Sequence, residues 1–199
     1  MNIQKVFKPF EHIIIDDVYN DEELLLIFQE LEFLKPKFKA PTETGSAMNR
    51  ETGLPLKKNR SIFLDNVYTE REMSDILRVN RKVFSMDVLR SLSEMHPSYG
   101  SALLCDSDYT LLNYYDDGDH YLPHSDRSSF TLITFLASKA AQYAGGEFLF
   151  SDFDYVVPQL NNRTVIFPGC VRHQVKEVGV ADQKYVGRFS MAQFLNLKY

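Results

Sequence analysis

Cysteine is scarce in this 199-residue chain: only Cys105 and Cys170, far apart and without a C-x-x-C partner. That argues against a functional thiol pair and leaves both as expected reduced thiols of the core. No run rich in lysine and arginine occurs, and the net charge of −5 is spread along the chain, so general affinity for a nucleic-acid backbone is not expected. Long apolar runs are missing too. The start, "MNIQKVFKPFEHIII", has no stretch suited to a signal peptide, and nowhere do about 18 apolar residues follow one another. The expectation is a soluble, cytoplasmic protein with no membrane partner. Internal repeats and low-complexity tracts are absent. What remains, 44% hydrophobic and 13% aromatic residues, is enough for one domain over 1–199 with a substantial core. The oligomeric state is not legible.

The sequence changes character partway, which divides the domain into a helical support and loop region (1–98) and a β core (99–199). "HIIID" (12–16) is a short β-branched run. "YNDEELLLIFQELEFL" follows, with Asn20 as N-cap, Glu23 at capping-box spacing and Pro36 as terminator. The polar stretch from Lys35 to Arg60 has no sustained period and reads as a long loop, either a functional lid or disordered. A second helix is expected from "YTEREMSDIL", capped by Thr69, with Met73, Ile76, Val79, Val83, Met86 and Leu89 as its core stripe.

After Pro97 short strands alternate with turn residues. They are "YTLLNYY" (109–115), "FTLITFLA" (130–137) before a polar linker, "GGEFLF" (145–150), "RTVIF" (163–167), "VRHQVKEV" (171–178) and "YVGRFSMAQFL" (185–195), the last preceded by a loop at "GVADQ". Many are apolar on both alternating faces, as strands are when helices cover one side and a second sheet the other. The expected class is mostly β with packed helices: an antiparallel barrel or sandwich with N-terminal helices outside.

Several polar residues in this pattern are not explained by solvent. His124-Ser125-Asp126 is a weak signal alone. His120 precedes His124 by one helical turn, but Gly118 and Pro123 argue against a helix there, so His120 reads as exposed or supporting. In "VRHQV" a period of two puts His173 between Val171 and Val175 on an inward face, where an imidazole is either a satisfied core histidine or a ligand. In "GRFSMAQFL" the same alternation sends Phe189, Met191 and Gln193 outward and Arg188, Ser190 and Ala192 inward. A guanidinium there needs an anion: an internal acid such as Glu147, or a carboxylate from outside. His124, Asp126 and His173 can together occupy one face of a ferrous ion and leave three positions open. A 2-oxo acid would fill two through its ketone and near carboxylate and dioxygen the third, with the far carboxylate held by Arg188 and Ser190.

At these residues the chain resembles the prolyl 4-hydroxylase-like branch of the iron(II)/2-oxoglutarate-dependent dioxygenases. The likeness runs from "LLNYYDDGDHYLPHSD" through "GGEFLF" and "RHQV" to "GRFSMAQFL". It matches the family's Tyr, Gly, Tyr, His-x-Asp order with Tyr114, Gly118, Tyr121, His124 and Asp126. The resemblance implies a double-stranded β-helix, a jelly-roll or cupin-like barrel. It also implies Fe(II) on His124, Asp126 and His173, with 2-oxoglutarate and dioxygen as co-substrates, and allows for ascorbate. Arg188 and Ser190 would bind the co-substrate, and Tyr114 would add a hydroxyl unless it is a core aromatic. The implied reaction turns 2-oxoglutarate into succinate and CO₂ while hydroxylating an unactivated C–H bond, of a peptidyl proline or another peptide, protein or small-molecule substrate. Two departures are Thr134, where some relatives place a tyrosine, and a longer loop between His173 and Arg188. Substrate choice would lie in loops 36–60 and 115–122, with Tyr115, Tyr121, Arg127 and the Arg60 region lining the entrance or simply solvated.

The sequence also admits three rival readings. A nucleic-acid demethylase of the same superfamily would carry a further arginine where Phe194 stands. A non-redox metal site would use His120 with His124 or His173. A non-catalytic barrel would only bind a partner.

Overall fold

The structure is a computed structural model, and it describes residues 1–137, 142–180 and 188–197. The polar linker after Ala137, most of the "GVADQ" loop and the expected strand start at 185–187 fall outside the described residues.

Seven strands form a major antiparallel sheet. In order across it they are β1 (Asn2–Val6), β2 (His12–Asp16), β10 (Arg163–Pro168), β6 (Phe130–Leu136), β13 (Arg188–Asn196), β4 (Ser107–Tyr115) and β3 (Arg60–Phe63). A minor sheet faces it, in the order β5 (Tyr121–His124), β11 (His173–Val175), β8 (Phe148–Phe150) and β9 (Tyr155–Val157). β7 (Ala144–Gly145) and β12 (Val178–Gly179) pair separately. This is the expected mostly β, jelly-roll architecture. The division at residue 98 is not respected, because β1, β2 and β3 build both edges of the major sheet.

Alternation explains the doubly apolar strands. On β2, Ile13 and Ile15 pack under the helices while Ile14 faces the other sheet. On β6, Leu132 and Leu136 take the helix side, and Ile133 and Phe135 the space between the sheets. Each strand therefore feeds two cores, which a one-sided sheet would not need.

The first helix, α1 (Asp21–Leu34), carries the expected capping box, with Asn20 accepting from Glu23 N at 2.9 Å and Glu23 from Asn20 N at 3.0 Å. Ile27, Leu31 and Leu34 lie on its buried stripe, each contributing about 2 kcal/mol of burial. The second helix departs from expectation. A 3₁₀ turn (Arg71–Met73) precedes α3 (Asp75–Val79), a second (Asn80–Phe84) follows it, and α4 (Met86–Ser93) comes after Ser85; an earlier short helix, α2 (Pro41–Thr44), lies in the long loop. Ser74, not Thr69, is the cap: its hydroxyl accepts from Leu77 N at 3.0 Å, while Glu30 of α1 accepts from Ile76 N at 2.8 Å. Because the breaks change the phase of the stripe, Ile76 and Val83 are buried but Met73 is 66% exposed and Met86 also lies outside.

Two smaller corrections follow. Cys105 is half-buried and Cys170 exposed, both unpaired, so neither is a core thiol. β5 forms despite Pro123 because it is an edge strand whose pairing with β11 is interrupted between His124 and Tyr121. No helix among the described residues is long and apolar enough to cross a membrane.

At one end of the major sheet Arg163 of β10 donates to both carboxylate oxygens of Asp16 on β2, at 2.6 and 2.9 Å. That hydrogen bonding, opposed in part by burial, holds the Asp16 carboxyl below its ordinary range. A depressed folded-state pKa stabilises the fold above the unfolded value of about 3.9 and stops doing so as pH falls through the folded value. Asp16→Asn should therefore cost about 1 kcal/mol at neutral pH in urea unfolding. The gap from wild type should close as the pH drops below about 4.

Candidate active site

A cavity of about 520 Å³ opens between the two sheets. Inward residues of β4 and β13 form its floor, Tyr121, His124 and His173 of the minor sheet its opposite wall, and Thr44 to Ser46 with Lys57 part of its rim.

His124 and His173 are cross-strand partners on β5 and β11, with ring centroids 4.3 Å apart. Each Nδ1 faces the carbonyl two residues earlier: Leu122 O at 2.8 Å for His124, Val171 O at 3.0 Å for His173. An Nδ1–H donated to a carbonyl leaves the Nε2 lone pair free and aims it inward. Asp126 follows β5, with its Oδ1 4.0 Å from His124 Nε2 and its Oδ2 3.5 Å from His173 Nε2. One ligand atom from each of the three lies within 4.8 Å of the others. The contacts are not ion pairs. Burial, with the charges of His173 and Lys57 adding to it, pushes His124 down to about 3, and burial also lowers His173 against the pull of Asp126. Two neutral imidazoles and a carboxylate are the donor set of an open ferrous site, and the residues fit that ion. Behind them Thr131 Oγ1 donates to Asp126 Oδ2 at 2.6 Å, fixing the carboxylate from outside.

Arg188 is 1% exposed. Its Nη1 donates to Gly146 O at 2.9 Å, while Nε and Nη2 are buried without a hydrogen-bond partner among the described residues. Gly146 has φ +69°, and a Cβ there would meet Val178 Cγ2 at 2.7 Å and Arg188 Cδ at 3.7 Å, so only glycine lets the backbone reach the guanidinium. The expected alternative partner, Glu147, is exposed and makes no ion pair with it. Two donor nitrogens of a buried cation left without acceptors are costly, and an anion's oxygens would satisfy them.

Residues 109–196, from β4 through β13, contain the three clustered donors and Arg188 and match the family model of the 2OG-Fe(II) oxygenase superfamily. This stretch, somewhat under half of the chain, is a match to that superfamily. Its cofactor is Fe(II), with 2-oxoglutarate and dioxygen as co-substrates. The fold is shared with a prolyl-4-hydroxylase of Pseudomonas putida, at 15% identity and TM-score 0.63 over 94% of this chain and 93% of that one. A prolyl 4-hydroxylase of Phytophthora capsici gives 16% identity and TM-score 0.56, over 93% of this chain and 58% of that one. A viral collagen prolyl hydroxylase of Paramecium Bursaria Chlorella virus-1, solved with 2OG, gives 13% identity and TM-score 0.53, over 92% and 94%. These likenesses establish the fold. No curated protein matches the chain in sequence.

Within this oxygenase site the tyrosine expectation needs correcting. Tyr114 sits in the helix-side core, its ring 4.8 Å from Phe189. Tyr115 lines the cavity instead, opposite Arg188 in the β4–β13 register, with the Arg188 Cζ 5.2 Å from its ring centroid. The residues facing the cavity from β4 are 111, 113 and 115, so Tyr115 falls in the motif place given to Tyr114. Ser190 lies in the cavity beside Arg188, opposite Asn113. The Thr134 departure also dissolves: Thr134 pairs with Met191 and hydrogen-bonds Thr164 at 2.7 Å on the helix side. His120 lies outside the cavity, as expected, and Arg60 points to Asp116 at 3.8 Å. Tyr121 stacks on His124 at 3.5 Å and its hydroxyl accepts from Ala47 N at 3.1 Å. Leu56 O accepts from Leu122 N at 2.9 Å. The long loop is thus ordered along β5 as part of the rim. No local pattern in the sequence marks Lys57 or Asn113 as facing the cavity.

Proposed function

We propose that this oxygenase hydroxylates an unactivated C–H bond, with a peptidyl proline as the substrate class, and that the site residues divide between iron and co-substrate. One observation carries the reading: the cavity that gathers two neutral imidazoles and a carboxylate also holds a buried guanidinium with two donors unused. His124, Asp126 and His173 would hold the iron, which when bound supplies the activation of dioxygen that couples 2-oxoglutarate decarboxylation to substrate oxidation. Arg188, through Nε and Nη2, would receive the far carboxylate of 2-oxoglutarate bidentately, with the hydroxyls of Ser190 and Tyr115 beside it. Leu122 O, Val171 O and Thr131 hold the three donors in one orientation. Ile133, Phe148 and Val175 wall the cavity with apolar surface and exclude water. Support for a prolyl substrate comes from the fold neighbours, three of which are prolyl hydroxylases.

The direct test is iron-dependent release of succinate from 2-oxoglutarate by purified protein, followed by mass spectrometry of prolyl peptides for the gain of one oxygen atom. No succinate with any metal-loaded preparation would overturn the reading. Tyr115→Phe should raise the KM for 2-oxoglutarate about tenfold, the loss of one hydrogen bond to a charged group. Tyr114→Phe should change it less than about twofold. The reverse order would assign the co-substrate hydroxyl to the wrong tyrosine.

A further inference from the structure

Lys57 has no part in holding iron or 2-oxoglutarate as described above, yet it is 4% exposed and lines the same cavity. Its backbone bridges to Tyr121 at the start of β5, so it stands where the minor sheet meets the β3 edge of the major one. Nζ donates to Ser61 Oγ at 2.7 Å, and that hydroxyl shares a hydrogen bond of 2.9 Å with Thr44 Oγ1. An ammonium has three protons, so two remain for another partner. No carboxylate among the described residues makes an ion pair with it, and burial alone pulls its pKa down to about 8. Ordinary lysines escape such a position by extending into solvent. This one is tied down by a hydroxyl that neutralises nothing.

Register separates this cation from Arg188. Ser61 on β3 pairs with Asn113 on β4, which pairs with Ser190 on β13. The Lys57 anchor is therefore two strand spacings, roughly 10 Å, to the side of the strand that carries Arg188. One carboxylate cannot serve both. Lys57 nevertheless lines the same cavity as His124, and its backbone bridges to Tyr121, whose ring stacks on the His124 imidazole. An anion held there would belong to a second molecule lying against Tyr121, where the substrate must approach the histidines.

Resting on the oxygenase reading above, we propose that Lys57 receives a carboxylate of the substrate to be hydroxylated, making this an enzyme for acidic peptides whose carboxylate lies within a residue or two of the oxidised carbon. The carboxylate could be an aspartate or glutamate side chain or a chain terminus; both present the same group to Nζ. Ser61 and Thr44 act as positioning residues that hold the ammonium toward the cavity.

The test is calorimetric binding, without oxygen, to full-length protein loaded with Mn(II) and 2-oxoglutarate. Acetyl-Ala-Pro-Asp-amide is compared with its Asn counterpart for the side-chain source, and acetyl-Ala-Pro-Ala with its C-terminal amide for the terminal source. At least one acid should bind about tenfold more tightly than its neutral partner, as a charge-assisted hydrogen bond requires. Lys57→Met should abolish that ratio and Lys57→Arg should retain most of it, a discrimination that a merely structural lysine would not produce. Equal binding of acid and amide by wild type, or a ratio surviving in Lys57→Met, overturns the proposal. So does a Lys57→Met variant whose only change is weaker 2-oxoglutarate binding, which would assign the lysine to the co-substrate. Succinate release by wild type without peptide is measured in parallel. Its absence overturns the oxygenase reading and this proposal with it, whereas its presence with flat peptide ratios overturns the role of Lys57 alone.

Discussion

Arg188→Ala is expected to raise the KM for 2-oxoglutarate by about 100-fold or more, the cost of removing one partner from a buried charge pair. Nε and Nη2 have no hydrogen-bond partner among the described residues, and the guanidinium is otherwise met by the rings of Tyr115 and Phe135, so a carboxylate would supply the missing acceptors. Burial lowers the Arg188 pKa, opposed only in part by the electrostatic pull of Tyr115, Tyr143 and Glu147. The same reasoning gives the variant an unusual profile. Removing an uncompensated buried cation should cost the empty protein little stability, while 2-oxoglutarate should lose most of its stabilising effect in thermal unfolding. Metal affinity should stay near wild type, because Arg188 is not among the three clustered donors. Arg188→Lys should fall between, since an ammonium cannot reproduce the planar fork. Unchanged KM in the alanine variant would place the far carboxylate elsewhere.

Asp126→Ala should produce the other large effect, a fall in Fe(II) affinity of more than about 100-fold, since disturbing groups that merely orient ligands already costs 10- to 100-fold. Asp126 is the single anion of the three, and without it two neutral imidazoles must bind a dication alone. His173→Ala should behave similarly, and Thr131→Val should lose about tenfold because it frees the carboxylate without removing it. Fluorescence or calorimetric titration with Fe(II) under nitrogen gives the three values. An Asp126→Ala protein that retains wild-type affinity would mean that the cluster is not where the iron sits.

Much of this site could be read from alternation alone. The "GRFSMAQFL" segment sends Arg188 and Ser190 inward because Phe189 and Met191 belong under helices, and the helix-side core holds both of the latter. The same rule applied to "LLNYY" would have chosen Tyr115, but both faces of β4 are buried, so composition does not mark which tyrosine faces the cavity. The second helix reads as continuous because apolar spacing persists across Ser74 and Ser85, whereas at Ser74 the chain is capped by that serine and by Glu30 of α1, a tertiary contact that no local spacing marks. β5 was hidden by Pro123, tolerated only because the strand lies at an edge. Lys57 was illegible for the same kind of reason. Its burial comes from the pairing of a polar loop with β5, a tertiary contact that no local period announces.

We propose that His124, Asp126 and His173 hold the metal while Arg188 holds the tail of 2-oxoglutarate. A crystal grown with Mn(II) and 2-oxoglutarate tests it through the anomalous signal of the metal. One strong peak is expected, bonded to Nε2 of both histidines and to Asp126, with the far carboxylate on Nε and Nη2 of Arg188. A peak elsewhere, or a co-substrate carboxylate that leaves those two donors bare, would contradict it.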